Sequence, residues 1–490
     1  MGQLVLFFAL QLLGSWMCLA AGPKQVGLAI AAGFLIGLAV TVFLCLPVLL
    51  AGQFTNPSIV AVISLSLAAS VWLAVRRGRA TPAIALQLLV GALAFTALCT
   101  PCCAWNFATQ TYDSEQFIAY AQLLRAEEQL SFTTLEGLHS WGAFTVVAHA
   151  LAELTGDDYL YALSPAFSIS LFAVFGVTLH RGLAELSSRA RVIAVVVGML
   201  VLLAIPLVRI HVFYIHANWP AGGYLFVFSV LFWLADRDSD ASYLPFAFLA
   251  LLAFSLCRVE SPMFAALFLV LALSQTQLAR RALLPSYLAF TLVVVGWLLL
   301  MAAATPADSE YLTPTRSLLM AAALAGLFVL FVLQTFVRRL LPVVPIVVTV
   351  LCVLGVVAIA VTRSEAFAVS FPIWQRDLWT GSYWGYLWWP SCVVLTVLAF
   401  WVPAPPRTRW LRYAIALFFV LVALLAGLAD FYSEGRYAGL TRLTLHIVPL
   451  VAYYFALTFA PWVARRAAPS DDRHHAPTRN RANRLDVSER

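Results

Sequence analysis

Carboxylates and imidazoles are scarce in this 490-residue chain, so their positions carry information. The first cluster is Thr111-Tyr112-Asp113-Ser114-Glu115-Gln116, which directly follows an apolar run. After it, Phe117, Tyr120, Ala121 and Leu124 recur at i, i+3, i+4 and i+7, an apolar stripe suited to a helix lying on a bilayer. A carboxylate held at that boundary can take the proton of an attacking hydroxyl. Asp113 is therefore the first candidate for catalysis, with Glu115 as a helper. The same two side chains are the candidates for a divalent metal such as Mg or Mn, although oxygen-only sets are weakly diagnostic. The competing reading makes Asp113 no more than a cap of the helix.

Further clusters involve cations and rings. Arg258 and Glu260 stand in Cys257-Arg258-Val259-Glu260-Ser261-Pro262, between two short apolar runs. A charged pair at such a place either binds an anion such as phosphate or ties two helices together. Later, Asp430 to Tyr437 includes Glu434 and Arg436, and Arg442 and His446 follow at i, i+4 on one helix face. These cations suit a phosphate, which the planar guanidinium binds with two parallel hydrogen bonds; the alternative is that the arginines snorkel to lipid headgroups. The segment 371–389 holds Phe371, Trp374, Trp379, Tyr383, Trp384, Tyr386, Trp388 and Trp389 around Arg376 and Asp377. Trp374, Asp377 and Trp384 are candidates for a substrate platform, against the plainer reading as an aromatic belt. Finally, Arg209, His211, His216, Asn218 and Trp219 form either a metal or phosphate site or ordinary interface residues.

The elements that must position these groups are dictated by composition. The chain is 62% hydrophobic and 11% charged, which excludes both an ordinary soluble domain and a disordered one. The apolar share is roughly 300 residues, enough for about fifteen helices of about 20 residues. Apolar runs fall at 4–21, 26–51, 57–75, 82–101, 159–179, 192–210, 219–235, 243–257, 262–275, 282–304, 317–336, 341–362, 389–403, 411–429 and 442–463. The expectation is an all-α polytopic membrane protein with 11–15 spans, in which 243–257 and 262–275 are short enough to be re-entrant or tilted. The first run lacks a positive leader and reads as a span, not a signal peptide. Four parts follow: N-terminal spans 1–101, a large loop 102–158 with interfacial helices, a bundle 159–463 with loops 305–316, 363–388 and 430–441, and a polar, disordered tail 464–490. The eight cysteines are scattered and imply neither a disulfide framework nor a zinc site. No phosphate-loop motif is present, which argues against nucleotide-driven transport by this chain alone.

Net charge is +7, and Lys24 is the sole lysine among 30 cations. Threading the loops alternately puts 22 cations on one side and 8 on the other. The positive-inside rule makes the first side cytoplasmic, with the C-terminus inside and Asp113 outside. The basic balance is thus an orientation signal, and nucleic acid is not needed to explain it. Arginine- and alanine-rich composition points to a GC-rich bacterial genome, hence to a bacterial inner membrane.

Taken together, the acidic residue early in a large outer loop, the interfacial helices after it, the Arg258-x-Glu260 junction and the late Glu434-x-Arg436-Tyr437 segment before a Pro-containing last span resemble the GT-C superfold of multispanning glycosyltransferases. That group includes protein O-mannosyltransferases, aminoarabinose transferases of lipid A and arabinofuranosyltransferases. The chain departs from them in placing three additional spans before the acidic loop and in Asp-Ser-Glu where an Asp-Glu or Asp-x-Asp doublet is usual. The resemblance implies transfer of a sugar from a polyprenyl-phosphate donor to a saccharide, lipid or protein acceptor on the outer face. It implies Asp113 as general base, and Arg258, Arg436, Arg442 and His446, with Glu260 as orienter, around the phosphate. Two other classes fit the hydropathy: a transporter or flippase of lipid-linked saccharides, and a non-catalytic membrane scaffold. Few charges within spans and no clear internal repeat argue against the transporter.

Overall fold

A computed structural model describes residues 2–105, 112–153, 162–305, 313–333, 341–379, 381–405, 407–428 and 439–467. Arg436, Glu434 and most of the segments 305–316, 430–441 and 464–490 lie outside the described residues.

Every extended element among the described residues is a helix, and no strand occurs there. In chain order they are α1 (Gly2–Ala21), α2 (Val26–Leu50), α3 (Asn56–Arg76), α4 (Pro82–Trp105), α5 (Tyr112–Glu127), α6 (Phe132–Trp141), α7 (Ala143–Ala152), α8 (Leu163–Gly182), α9 (Ser188–Leu203), α10 (Pro206–Phe213) and α11 (Asn218–Asp238). They continue as α12 (Leu244–Cys257), α13 (Ser261–Gln275), α14 (Arg280–Ala304), α15 (Pro314–Val332), α16 (Val344–Thr362), α17 (Ser364–Trp379), α18 (Gly381–Trp401), α19 (Arg409–Leu428), α20 (Gly439–Thr444) and α21 (Val448–Ala467). Among the described residues, eleven helical segments are long and apolar enough to cross a membrane, or twelve when α9 and α10, bent by 83°, count as one span. The chain is a polytopic all-α membrane protein, with a span number at the low end of the expected range.

Burial separates the layers. The apolar core of α11 is 94% buried, and the segment containing α20 and α21 is 89% buried. The apolar stretch that includes α16 is only 6% buried, and those of α3, α4 and α15 are 22% buried. A helix that is apolar all round and barely covered by protein presents its surface to lipid. At the N-terminus α1 and α2 pack backbone to backbone. A Cβ added at Gly37 would stand 1.9 Å from the Leu10 carbonyl oxygen, so only glycine permits the approach. Gln11 Nε2 and Ser15 Oγ on α1 donate to the Ile30 and Ala29 carbonyls of α2 at 2.7 and 3.1 Å.

Helices α12 and α13, of 14 and 15 residues, are too short for a full span of about 20 residues. Between them Arg258 takes an extended conformation, and Pro262 in the first turn starts α13. The helices α5, α6 and α7 after α4 form the expected group of short helices, with Ser131 capping α6 through a reciprocal capping box with Thr134.

Candidate functional site

Three chain segments meet at the carboxylate of Asp113. Asp113 lies in the first turn of α5. Tyr214 and His216 come from the stretch between α10 and α11, and Arg442 from the short helix α20. Tyr214 Oη donates to Asp113 Oδ2 at 3.1 Å. Arg442 Nη1 donates to the same oxygen and forms an ion pair with it. His216 Nε2 stands 3.5 Å from it. Among the described residues no hydrogen-bond partner occupies Asp113 Oδ1. Arg442 is similarly half-used: its Nε is buried with no hydrogen-bond partner among the described residues.

The tautomer of His216 follows from its surroundings. The Asn218 backbone N–H donates to His216 Nδ1 at 3.1 Å, so Nε2 carries the proton and points it at Asp113. Arg442 Nη1, 3.3 Å from the same Nε2, is then a close cation and not a donor to it. His216 is 2% exposed, and its pKa is held well below the usual value, chiefly by burial. The hydrogen bond to Asp113 opposes this, while Arg442, Arg258 and His211 add to it. For Asp113, burial raises the pKa, but the His216 hydrogen bond and the Arg442 charge outweigh it and hold the carboxyl well below the ordinary carboxylate range.

These shifts fix a pH dependence. Asp113 is already ionised throughout pH 5–8 in both the folded and unfolded chain, so its contribution is constant there and is lost only as pH falls below about 4. His216 acts in the same direction but at higher pH. Below about pH 6.5 the unfolded chain takes up a proton that the buried ring refuses, so stability falls by up to ~1.4 kcal/mol per pH unit for this group. The thermal midpoint in detergent is expected to drop between pH 7 and pH 5, and His216→Gln is expected to flatten that slope. An unchanged slope in the variant would exclude a buried neutral His216.

Arg258 donates from Nε to Glu260 Oε1 at 3.2 Å, and the two side chains are 14% and 5% exposed. Glu260 Oε2 is buried without a hydrogen-bond partner among the described residues. Arg258 acts electrostatically on His216, so the junction of α12 and α13 belongs to the same neighbourhood as Asp113. His446 is fully buried in the turn between α20 and α21. Its Nε2 lies 3.1 Å from Asn218 Oδ1, and its ring meets Phe254 and Phe264 edge-on at 5.9 and 6.5 Å. It braces α20 against α11 and the α12–α13 pair.

Other expected residues are placed differently. Glu115 is exposed and does not join Asp113. Residues two apart on a helix point about 200° from each other, so helical geometry itself separates them. No group of three or more His, Cys, Asp or Glu side chains converges among the described residues, and Asp113 Oδ2 is taken by an arginine and a tyrosine. Trp374 and Asp377 are buried and form a clamp, not a platform. Trp374 Nε1 donates to Thr444 Oγ1 at 3.2 Å, and Thr441 Oγ1 donates to Asp377 Oδ2 at 3.3 Å, which fastens α17 to α20 on both sides of Arg442. Trp384 is fully buried and stacks on Trp388 at 5.2 Å.

Tyr214 is the member of this cluster that sequence reasoning passed over. Its signal was the alternation Tyr214-Ile215-His216 after a helix end. Extended backbone puts residues two apart on one face, and here the Tyr214 and His216 rings stack at 5.2 Å and both address Asp113. The buried Ile215 between them accepts a hydrogen bond from Ser114 Oγ through its carbonyl at 3.3 Å, which pins α5 to this segment.

The chain matches no protein-family profile, no curated protein and no solved structure.

Proposed function

We propose that this protein is a membrane glycosyltransferase that moves a sugar from a polyprenyl-phosphate donor to an acceptor hydroxyl. The observation that carries the reading is the Asp113–Arg442 pair, in which a carboxylate with one open oxygen stands beside a guanidinium with unused donors. The acceptor O–H gives its proton to Asp113 Oδ1 as its oxygen attacks the anomeric carbon. The bond between that carbon and the phosphate oxygen breaks, and polyprenyl phosphate leaves with the electron pair. Arg442, and Arg258 behind it, balance the charge that develops on the leaving group. At rest, against the effect of burial, the His216 hydrogen bond and the Arg442 charge make Asp113 a weak base. A donor phosphate competing for Arg442 withdraws the cation from Asp113, so basicity rises as the donor seats. Arg436 is the remaining cation proposed for the phosphate. A divalent metal is not used in this scheme.

The charge asymmetry of the loops supports a site on the outer face of a bacterial inner membrane and a cytoplasmic C-terminus. The test uses the full chain in liposomes, with polyprenyl-phosphate mannose, glucose or arabinofuranose labelled in the sugar and a panel of glycan and lipid acceptors. The expected result is label in a new glycosidic bond with release of polyprenyl phosphate. Movement of the labelled lipid across the bilayer without bond formation would instead establish the flippase.

A further inference from the structure

Several arginines at the end of the bundle far from Asp113 are spent on the protein itself. Arg181 and Arg237 share the carboxylate of Asp238. Arg412 donates to Tyr454 Oη and to the Val402 carbonyl at 3.1 and 3.2 Å. Arg189 and Arg191 on α9 and Arg466 on α21 differ. Among the described residues none of these three forms an ion pair with an acid, and Arg191 Nε is buried without a hydrogen-bond partner. Glu185, in the loop before α9, is exposed and pairs with none of them.

The fold gathers the three cations. Helix α9 leads through α10 to Tyr214, and α21 begins just past Arg442, so the start of α9 and the end of α21 both lie away from Asp113. The two helices run antiparallel and touch where a Cβ at Gly198 would stand 3.3 Å from Ala456 Cβ. Arg191 precedes Gly198 by seven residues, about two turns, and so shares the face that Gly198 turns to α21. Arg466 follows Ala456 by ten residues. At ~1.5 Å per residue, both positions lie roughly 10–15 Å beyond the contact, at one level. Arg466 sits over the Trp462 ring at 4.7 Å, a residue type that favours the membrane interface. Arg189, Ile193, Val196 and Leu200 recur at i, i+4, i+7 and i+11, and all three apolar members are exposed. Arg189 is thus the charged end of an apolar stripe. The first turn of α9, capped by Ser187, adds the partial positive charge of a helix start.

We infer that the start of α9 and the end of α21 bind an anionic phospholipid of the surrounding bilayer, with its phosphate among Arg189, Arg191 and Arg466 and an acyl chain along Ile193, Val196 and Leu200. Two features on one surface select this occupant. Unpaired guanidinium groups beside a helix start favour a head of net negative charge over a zwitterionic one. The adjoining apolar stripe favours a lipid over a soluble phosphate, which gains nothing from it. The site lies at the far end of both helices from Asp113 and does not depend on the sugar-transfer reading.

The experiment uses full-length protein in a neutral detergent, equilibrated with dioleoyl phosphatidylglycerol, dioleoyl phosphatidylcholine or glycerol 1-phosphate, with bound molecules counted by native mass spectrometry. Expected is saturable binding of phosphatidylglycerol at concentrations where the other two do not bind. Arg189→Gln with Arg466→Gln changes two exposed side chains, so the thermal midpoint should hold while phosphatidylglycerol binding weakens roughly fivefold per arginine, about 25-fold for the pair. Arg191→Gln should weaken it roughly fivefold alone. Arg280→Gln with Arg281→Gln removes the same charge at the start of α14 and should leave binding within about twofold of the parent protein. Equal binding of phosphatidylcholine would overturn the inference, as would undiminished binding in the Arg189–Arg466 variant. An equal loss in the α14 variant would replace the site with diffuse attraction, and glycerol 1-phosphate binding as tightly as the lipid would remove the apolar stripe from it; either result also overturns the inference.

Discussion

Asp113→Asn is expected to lower sugar transfer by ~10²–10⁴-fold, the usual contribution of a positioned general base. The amide is nearly isosteric, and its oxygen still accepts from Tyr214 and Arg442 as Oδ2 does now. What it loses is the capacity of the open Oδ1 to take a proton. The loss should therefore appear in kcat. The donor KM should hold or fall, because Arg442 no longer has a carboxylate competing with phosphate for its charge. Tyr214→Phe separates the two roles of the cluster: it removes one hydrogen bond to an ionised carboxylate, worth ~1.5–3 kcal/mol, and should cost at most ~10–100-fold. The measurement is initial rate against donor concentration for purified variants in liposomes, normalised to folded protein. Turnover of Asp113→Asn within threefold of the parent protein would remove Asp113 as the base, and a large rise in KM with kcat unchanged would make it a binding residue.

How much of this was legible before the structure depends on the range of the interaction. Hydropathy is local, and it placed most of the helices, down to the two short ones that flank Arg258, but the aromatic segment 363–388, expected as a loop, is helical as α17 and the start of α18. The chemistry-bearing types were also visible, since ionisable groups near apolar runs are costly and stand out. Their partners were not. Asp113 and Arg442 lie 329 positions apart, and Asp113 and Tyr214 lie 101 apart, distances over which no periodicity speaks. Trp374, Asp377 and Trp384 show the same limit from the other side. Aromatic density marks a membrane boundary, but whether a ring faces water, lipid or α20 depends on which helix covers it. Glu115 differs, because its separation from Asp113 followed from helix geometry alone and could have been deduced.

The turn between α6 and α7, which lies against Arg258, makes the most sensitive structural prediction. Gly142 ends α6 and begins α7 with φ +95° and ψ +118°, a backbone region that side chains do not tolerate. It also lies directly against the end of α12. A Cβ there would stand 1.8 Å from the Cys257 carbonyl oxygen and 3.3 Å from the Arg258 nitrogen, both backbone atoms that cannot rotate away. Gly142→Ala thus combines conformational strain of ~1–3 kcal/mol with overpacking of ~1–3 kcal/mol, together roughly 2–6 kcal/mol. That is a large part of the ~5–15 kcal/mol that holds a typical fold together. Protein that still folds must move α7 away from α12, and Arg258 moves with that junction relative to Asp113. Transfer per folded molecule should fall along with the thermal midpoint, which distinguishes this change from simple loss of protein. Gly296→Ala is the matched control: the same atom added where it meets nothing should leave the midpoint unchanged or raise it. A Gly142→Ala midpoint equal to that of Gly296→Ala would mean that the α6–α7 turn does not set the position of Arg258.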